Sequence, residues 1–288
     1  MSGDTVMTYN ARYVDLLKRI LRNSVYGQEA ITTDSDVADC RAAIDGIRQR
    51  KPWVLEKYSD LTGESLARVL AYTKRARNLH TYVREPGLDN IEACARDIIA
   101  SEVPGDFVDA GTLRGGTAIL MRGILEGYGD KTRKVIVADS FQGLPPPSGQ
   151  DSVFDREVWF ALADELPQYN LRCDETQETV RGNFAAYGLL DSQVVFLPGW
   201  FRDTLRTLTP SAIALLRIDA DWYEGTRDAL QALYPLIPAG GYVIVDDYKL
   251  DGCKRAVDEY RIKHRVFEKI LTADEEDGVI YWKKGAVS

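Results

Sequence analysis

The part of the sequence after residue 105 alternates between two apolar patterns, and this alternation restricts the fold more than any other feature. Short runs rich in β-branched residues predict strands, and longer stretches with helical spacing lie between them. The predicted strands cover 107–110, 134–138, 194–197, 212–219 and 241–246, and the predicted helices lie near 115–126, 175–187, 202–208 and 224–236. Such alternation forms βαβ units, so we expect a mostly parallel α/β sheet with helices on both faces.

The two ends of the chain add to this core. A last helix at 252–263 and terminal strands at 265–271 and 278–283 predict an antiparallel hairpin at one edge, giving seven strands in all. Before the core, helical periodicity predicts an N-terminal helical cap over residues 1–100, followed by a core domain at 101–288. The clearest amphipathic series there is Tyr13, Leu16, Leu17, Ile20 and Leu21.

Composition narrows the function classes. The formal net charge of −8 argues against broad electrostatic binding to nucleic acid or to an anionic membrane. The N-terminus lacks the pattern of a signal peptide, and no apolar run approaches the roughly 20 residues that span a bilayer. The four cysteines form no C-x-x-C pair, which indicates reduced thiols. These features predict a soluble, cytoplasmic protein.

A glycine-containing turn follows the first predicted strand. The segment Phe107-Val-Asp-Ala-Gly-Thr-Leu-Arg-Gly-Gly-Thr117 ends a strand and opens a helix, where doubly wound folds bind nucleotide-like ligands. It lacks the G-x-G-x-x-G spacing that favours a pyrophosphate, so a nicotinamide-dependent oxidoreductase is disfavoured. S-adenosylmethionine, which has no phosphates, suits this looser pattern better. An ordinary strand-to-helix turn is the alternative.

Acidic residues stand at the ends of three predicted strands. Asp139 follows the second strand and is placed to accept hydrogen bonds from the ribose hydroxyls of a nucleoside. Asp219 and Asp221 end one buried strand, and Asp246 and Asp247 end the next. If these two strands are neighbours, four carboxylates meet at the carboxyl edge of the sheet, and an all-oxygen cluster favours Mg²⁺ or Mn²⁺ over zinc. The alternative is that each aspartate caps a helix or faces water.

These two sites together suggest a reaction. A divalent cation lowers the pKa of a coordinated hydroxyl and fixes its oxygen, and a nearby carboxylate then accepts the proton. A methyl group held on the sulfonium of S-adenosylmethionine needs only to be positioned in line with that oxygen. The residues therefore predict metal-assisted O-methyl transfer.

Four segments resemble the macrocin O-methyltransferase family, whose members methylate deoxysugar hydroxyls of natural products. They are Ala138-Asp-Ser-Phe-Gln-Gly-Leu-Pro-Pro-Pro147, Leu216-Arg-Ile-Asp-Ala-Asp221, Tyr234-Pro235 and Val243-Ile-Val-Asp-Asp-Tyr248. The resemblance extends over roughly residues 9–282. It implies a Rossmann-like class I methyltransferase fold, a glycosylated small-molecule acceptor, and N-terminal helices that serve both as a lid and in a homo-oligomer interface.

The resemblance also implies site residues. Mg²⁺ would be held by Asp219, Asp246 and Asp247, and Asp221 would be the general base. S-adenosylmethionine would be bound by Asp109, Gly111, Thr112, Arg114, Gly115, Asp139 and Ser140. This chain departs from the family in two segments, although the acidic residues are kept. The family usually has Glu-Thr-Gly-Val-Trp-Arg-Gly-Gly where this chain has Asp109-Ala-Gly-Thr-Leu-Arg-Gly-Gly116, and Asp-Gly-Asp-Leu-Tyr where this chain has Asp219-Ala-Asp-Trp-Tyr223.

Several points stay open at this stage. A catechol or small-phenol methyltransferase would use the same metal chemistry, and a catalytically inactive binding or scaffold protein could share the fold. The stretch 143–167, which begins with three prolines, is predicted to be an irregular active-site loop. His80, Tyr248 and the pair Trp200-Phe201 are candidates for acceptor contacts, with packing roles as the alternative. His264 is expected at a helix C-terminus.

Overall fold

A computed structural model of the chain describes residues 10–25, 33–50, 52, 67–68, 70–71, 79–167 and 170–286. Its centre is a seven-stranded sheet in the order β3-β2-β1-β4-β5-β7-β6. The strands are β1 Asp106–Ala110, β2 Val135–Asp139, β3 Val194–Pro198, β4 Ile213–Ile218, β5 Tyr242–Val245, β6 Leu271–Asp274 and β7 Val279–Lys283. The first five are parallel, and β7 and β6 continue the sheet antiparallel to them. The predicted α/β class is confirmed.

Nine α-helices have defined bounds within the described residues. They are α1 Ala11–Leu21, α2 Asp34–Arg50, α3 Glu85–Ala100, α4 Gly116–Tyr128, α5 Phe160–Glu165, α6 Gln177–Ala186, α7 Phe201–Thr204, α8 Tyr223–Leu233 and α9 Asp251–His264. No described helix is both long enough and apolar enough to cross a membrane.

Strand alternation divides the core into two layers. Phe107, Leu215 and Ile244 pack on one face of the sheet with residues of α1, α3, α4 and α6. Their neighbours Val108 and Leu216 face the other side and pack with α8 and α9. Because successive strand residues point to opposite faces, a strand buried on both faces is expected to be apolar at nearly every position. All six residues of β4 are buried accordingly.

A third cluster lies apart from both layers. Residues of α2 pack with Leu70, Ala71 and residues of α5, among them Leu162 and Ala163. Thus α1 and α3 cover the sheet, whereas α2 packs with the segment that follows the proline-rich loop. The lid function of the N-terminal helices stays a prediction.

Three local predictions need correction. The strand predicted at 265–271 is wrong, because Arg265 takes a left-handed conformation that ends α9 and the edge strand begins only at Leu271. The stretch 143–167 is not irregular throughout, since it contains a π-helical turn, Asp155–Trp159, and α5. On α1 the buried residues are Val14, Leu17 and Leu21, while Leu16 and Ile20, predicted to lie on the apolar face, are 45% and 42% exposed. A second amphipathic helix is predicted from Leu66 to Tyr72, before the basic cluster Lys74-Arg75-Ala76-Arg77, and most of this segment lies outside the described residues.

Candidate active site

A cavity of about 930 Å³ opens at the carboxyl edge of the parallel strands. This is the edge at which open α/β folds bind ligands, and the volume lies within the range of small-molecule sites. The loop after β1 lines the cavity together with the ends of β2, β4 and β5. Its predicted site residues are Gly111, Thr112, Asp139, Ser140, Asp219, Asp221, Asp246 and Asp247.

The loop between β1 and α4 is held in a tight turn against the end of β4. Gly111 has a φ of +91°, and a Cβ atom there would lie 1.7 Å from the carbonyl oxygen of Asp219. Only glycine fits such an approach. The backbone N–H of Asp219 donates to the carbonyl of Ala110 at 2.8 Å, so the loop and the aspartate segment are locked together.

Asp139 lies at the tip of β2, as the sequence predicts for a ribose ligand. Its Oδ2 accepts from the backbone N–H of Thr112 at 2.8 Å, and its Oδ1 accepts from the N–H of Phe141 at 2.8 Å. Burial raises the pKa of the Asp139 carboxyl against these hydrogen bonds, which lower it. Ser140 beside it donates to the carbonyl of Gly143. Both side chains border the cavity, and their contact with the cofactor stays a prediction.

Three other residues predicted to bind the cofactor do not line the cavity. Asp109 is fully buried and accepts hydrogen bonds from Thr112, Thr117 and Arg217. Arg114 pairs with Glu175 at 2.7 Å and donates to the carbonyl of Leu79. The third, Gly115, begins α4 with a φ of 85°. Their contacts support the loop from behind rather than from the ligand side.

Strands β4 and β5 are neighbours, so the four predicted carboxylates do meet. Oxygens of Asp219, Asp221 and Asp247 lie within 4.8 Å of one another, an arrangement that could hold a metal ion. Asp221 has a left-handed φ of 52°, and its N–H donates to Asp247 Oδ2 at 3.1 Å. Asp246 is directed instead to the guanidinium of Arg217.

Crowding perturbs the acidity of this group. Burial, followed by repulsion from Asp219 and Asp246, raises the pKa of Asp221 to about 8. Burial raises the pKa of Asp246 to about 7 although Arg217 opposes the shift, and the pKa of Asp247 is also raised by burial and by its acidic neighbours. Burial is the largest cause of each shift and repulsion among the carboxylates adds to it, so a positive charge bound beside them would favour their ionised forms.

Arg217 is the residue that the sequence interpretation missed. It lies within β4, is 1% exposed, and contacts Asp109, Asp219 and Asp246 through its two terminal nitrogens. A signal was present, since an arginine inside an otherwise apolar strand must find buried carboxylates. Two further parts of the cavity wall, the segment 81–84 and Cys173, carried no such signal.

The long loop after β2 is fastened over the cavity by the residues that follow Asp221. The indole of Trp222, which is buried, donates to the carbonyl of Pro145 at 3.0 Å. The N–H of Tyr223 donates to Asp151 Oδ1 at 2.7 Å. The departure from the family pattern at Trp222 therefore serves to anchor this loop.

A family model decides what kind of site this is. The model of the macrocin-O-methyltransferase (TylF) family matches residues 10–284. The chain belongs to the macrocin O-methyltransferase family. It is therefore an S-adenosylmethionine-dependent O-methyltransferase, and the oxidoreductase interpretation is excluded.

Individual relatives agree with this family. One relative is the 8-demethyl-8-(2,3-dimethoxy-α-L-rhamnosyl)-tetracenomycin-C 4′-O-methyltransferase of Streptomyces olivaceus. It is 38% identical to this chain in an alignment that covers 98% of this chain and 97% of the relative. The demethyldecarbamoylnovobiocin O-methyltransferase of Streptomyces niveus is 47% identical over 72% of this chain and 76% of its own. The solved structure of the O-methyltransferase NovP, 36% identical, superposes with a TM-score of 0.72 over 95% of this chain and 98% of its own.

The remaining candidate residues of this methyltransferase differ in their position relative to the cavity. Trp200 and Phe201 border the cavity. His80 and Tyr248 do not line it: the His80 ring lies 2.6 Å from the Tyr187 hydroxyl, and the Tyr248 hydroxyl donates to Asp258. His264 ends α9 as predicted and stacks on Tyr260.

Proposed function

We propose that this chain methylates a hydroxyl of a sugar in a glycosylated natural product, with Mg²⁺ or Mn²⁺ bound at the carboxyl edge of the sheet. The observation that carries the proposal is the convergence of Asp219, Asp221 and Asp247 beside the cofactor loop. The sugar acceptor is supported by the rhamnosyl substrate named for the relative from Streptomyces olivaceus.

The residues fit a hard divalent cation. The group is all-oxygen, which suits Mg²⁺ or Mn²⁺. Burial and mutual repulsion raise the pKa values of Asp221, Asp246 and Asp247, and a bound cation would favour the ionised forms of these carboxyls. Asp219 and Asp247 would hold the cation together with Asp246, whose Oδ2 already accepts from Arg217. When bound, the cation supplies Lewis acidity that lowers the pKa of the acceptor hydroxyl.

In this proposal Asp221 accepts the hydroxyl proton. Its carboxyl lies in the same group as Asp219 and Asp247, and its left-handed backbone turns the chain back toward Asp247. Methyl transfer then breaks the carbon–sulfur bond of the donor as the oxygen–carbon bond forms. Asp219 would help to hold the cation, which would supply a binding site for the acceptor oxygen. Asp139 and Ser140 hold the nucleoside, beside Gly111 and Thr112.

The outer cavity wall suits a sugar. Trp200 and Phe201 offer aromatic surfaces, and Glu224 and Asp228 offer carboxylates that accept hydrogen bonds from hydroxyls. A flat phenol would need fewer of these polar partners. A sugar acceptor is therefore favoured over a catechol, and substrate profiling distinguishes the two.

The first experiment combines binding with transfer. S-adenosylmethionine is titrated by calorimetry with and without Mg²⁺ into the wild type and Asp246→Ala, and transfer is assayed on panels of glycosides and catechols. We expect cofactor binding, glycoside methylation, and loss of transfer on chelation and in the variant. Transfer that persists in chelator contradicts the metal role, and a preference for catechols contradicts the sugar acceptor.

Asp221→Asn separates the proposed base from the proposed ligands. We expect transfer to fall about 10²- to 10⁴-fold, the usual contribution of a positioned acid or base, while Mn²⁺ affinity stays near that of the wild type. Asp247→Asn is the matched variant and should lose Mn²⁺ affinity. If both variants lose the cation equally, Asp221 is a ligand instead.

We also propose that the N-terminal helices contribute to a homo-oligomer and cover the acceptor. Leu16 and Ile20 lie one turn apart on α1, and each is more than 40% exposed. A paired substitution, Leu16→Glu with Ile20→Glu, should shift the sedimentation of the protein toward monomer without unfolding it. An unchanged oligomer would exclude this face as the interface.

A further inference from the structure

Arg217 occupies a position between two ligand sites. It lies in β4, two residues before Asp219, and its guanidinium is buried among groups from β1, the cofactor loop, α4, β4 and β5. A buried guanidinium needs several acceptors, and its planar fork lets the two terminal nitrogens serve different partners.

One terminal nitrogen serves the cofactor side. Arg217 Nη1 donates to Asp109 Oδ1 at 2.8 Å, to the carbonyl of Gly111 at 3.1 Å and to Thr117 Oγ1 at 3.2 Å. Gly111 is in the loop that lines the cavity, and Thr117 lies in the first turn of α4. This nitrogen therefore fixes the loop at its start and at the helix that follows.

The other terminal nitrogen serves the carboxylate side. Arg217 Nη2 donates to Asp219 Oδ2 at 2.6 Å and to Asp246 Oδ2. Asp219 directly follows β4 and Asp246 directly follows β5, so the contact also fixes the spacing of these two strands at their carboxyl ends. Both carboxylates face the cavity.

We propose that Arg217 is the positioning residue that couples S-adenosylmethionine binding to divalent-cation binding. The inference rests on the metal site proposed above. Each ligand would restrain the same guanidinium, one through the loop and the other through the carboxylates. The entropy lost on ordering that group is then shared, so each ligand binds more tightly when the other is already bound.

The test measures the ratio of cofactor affinities with and without Mg²⁺. Calorimetric titration of the full chain gives the Kd of S-adenosylmethionine in chelator and in saturating Mg²⁺. Mn²⁺ titration monitored by electron paramagnetic resonance reports cation binding independently. For the wild type we expect Mg²⁺ to tighten cofactor binding about tenfold, in the range of ordinary coupling energies.

Arg217→Lys retains the charge but replaces the fork with a single ammonium. Long-range electrostatic effects of the cation on the cofactor therefore persist, and only the bridge is lost. We expect the affinity ratio to fall to within about twofold of one, below the tenfold coupling of the wild type. The matched control is Arg122→Lys. Arg122 is also a buried arginine with two carboxylate partners, but those partners do not line the cavity, so this variant should keep the wild-type affinity ratio.

A second pair of variants tests the bridge if Arg217→Lys does not fold. Thr117→Val removes a hydroxyl that contacts both Arg217 and Asp109, with almost no change of shape, and should reduce the ratio about threefold, a fraction of the wild-type coupling. Thr117→Ser keeps the hydroxyl and should preserve the ratio. Neither change touches a proposed metal ligand.

The outcomes distinguish this inference from the proposed function. Absence of Mn²⁺ binding in the wild type overturns the metal site, and with it the coupling. If both ligands bind but their affinities are independent, the coupling alone is overturned. The coupling role of Arg217 is also overturned if Arg217→Lys and Thr117→Val keep the wild-type ratio, or if Arg122→Lys loses the ratio equally.

Discussion

Two buried arginines show how differently one chain handles an interior positive charge. Arg122 is 2% exposed, but its partners Glu126 and Asp191 are each 42% exposed, and Lys131 adds a second positive charge on Glu126. Charges of opposite sign are balanced there, and water reaches the carboxylates. This arrangement is expected of a structural ion-pair cluster at the protein surface.

Arg217 is in a different situation. Its partners Asp109, Asp219 and Asp246 have side chains that are 0%, 31% and 11% exposed, and two more carboxylates, Asp221 and Asp247, adjoin them. One guanidinium therefore faces five carboxylates. Such an excess is unusual in a structural cluster, and it would suit the proposed site for a divalent cation and a sulfonium.

The largest expected difference follows from removing each arginine. Arg217→Met should lower the free energy of unfolding by about 3–5 kcal/mol, because it leaves buried carboxylates without a partner. Arg122→Met should cost about 1–2 kcal/mol, because its carboxylates remain hydrated. Chemical denaturation of both variants checks this, and equal losses would mean that the contrast between the two clusters is wrong.

The next largest effect is expected from a substitution in the loop between β1 and α4. Gly111→Ala should lower stability by about 2–4 kcal/mol and weaken S-adenosylmethionine binding, because the added Cβ meets the carbonyl of Asp219 at a strained φ. We expect this variant to move the loop away from Arg217 without affecting the Arg122 cluster, so it tests the Arg217 cluster alone. Normal cofactor affinity in Gly111→Ala would show that the loop and the carboxylates are not locked together.

Removing one carboxylate from each cluster should change the free energy of unfolding in opposite directions. Asp247→Asn relieves repulsion and should raise the stability of the metal-free protein by about 1 kcal/mol, while abolishing stabilisation by Mg²⁺. Asp191→Asn removes a partner of Arg122 and should lower stability by about 1 kcal/mol. Thermal unfolding in chelator and in Mg²⁺ measures both, and a loss of stability in Asp247→Asn would contradict the charge excess.

The smallest expected effect is that of Gly182→Ala, which serves as the control for Gly111→Ala. Gly182 lies within α6, and nothing lies within 4 Å of the position that its Cβ would take. Gly182→Ala should raise stability by about 0.5–1 kcal/mol through helix propensity and leave cofactor binding unchanged. A destabilised Gly182→Ala would remove its value as the control for Gly111→Ala.

Much of the fold follows from the sequence because strand and helix periods are local properties. The five parallel strands and the helices between them appear where the apolar patterns place them, with shifts of a few residues at the ends. The failures are also local in origin. Arg265 ends α9 in a left-handed turn that no apolar pattern reveals, and α5 lies in a stretch predicted to be irregular and packs against α2, which is distant in sequence.

The candidate site divides in the same way. Sequence alone determined which chemical groups are present and that Asp219, Asp221, Asp246 and Asp247 stand at strand ends, because strand ends can be identified from local pattern. Only the tertiary structure decided how those groups are paired. It placed Asp109 inside the protein, turned Asp246 toward Arg217 and grouped Asp221 with Asp219 and Asp247. Pairing depends on strand order and on the competition among buried charges for one cation, and both are properties of the whole fold.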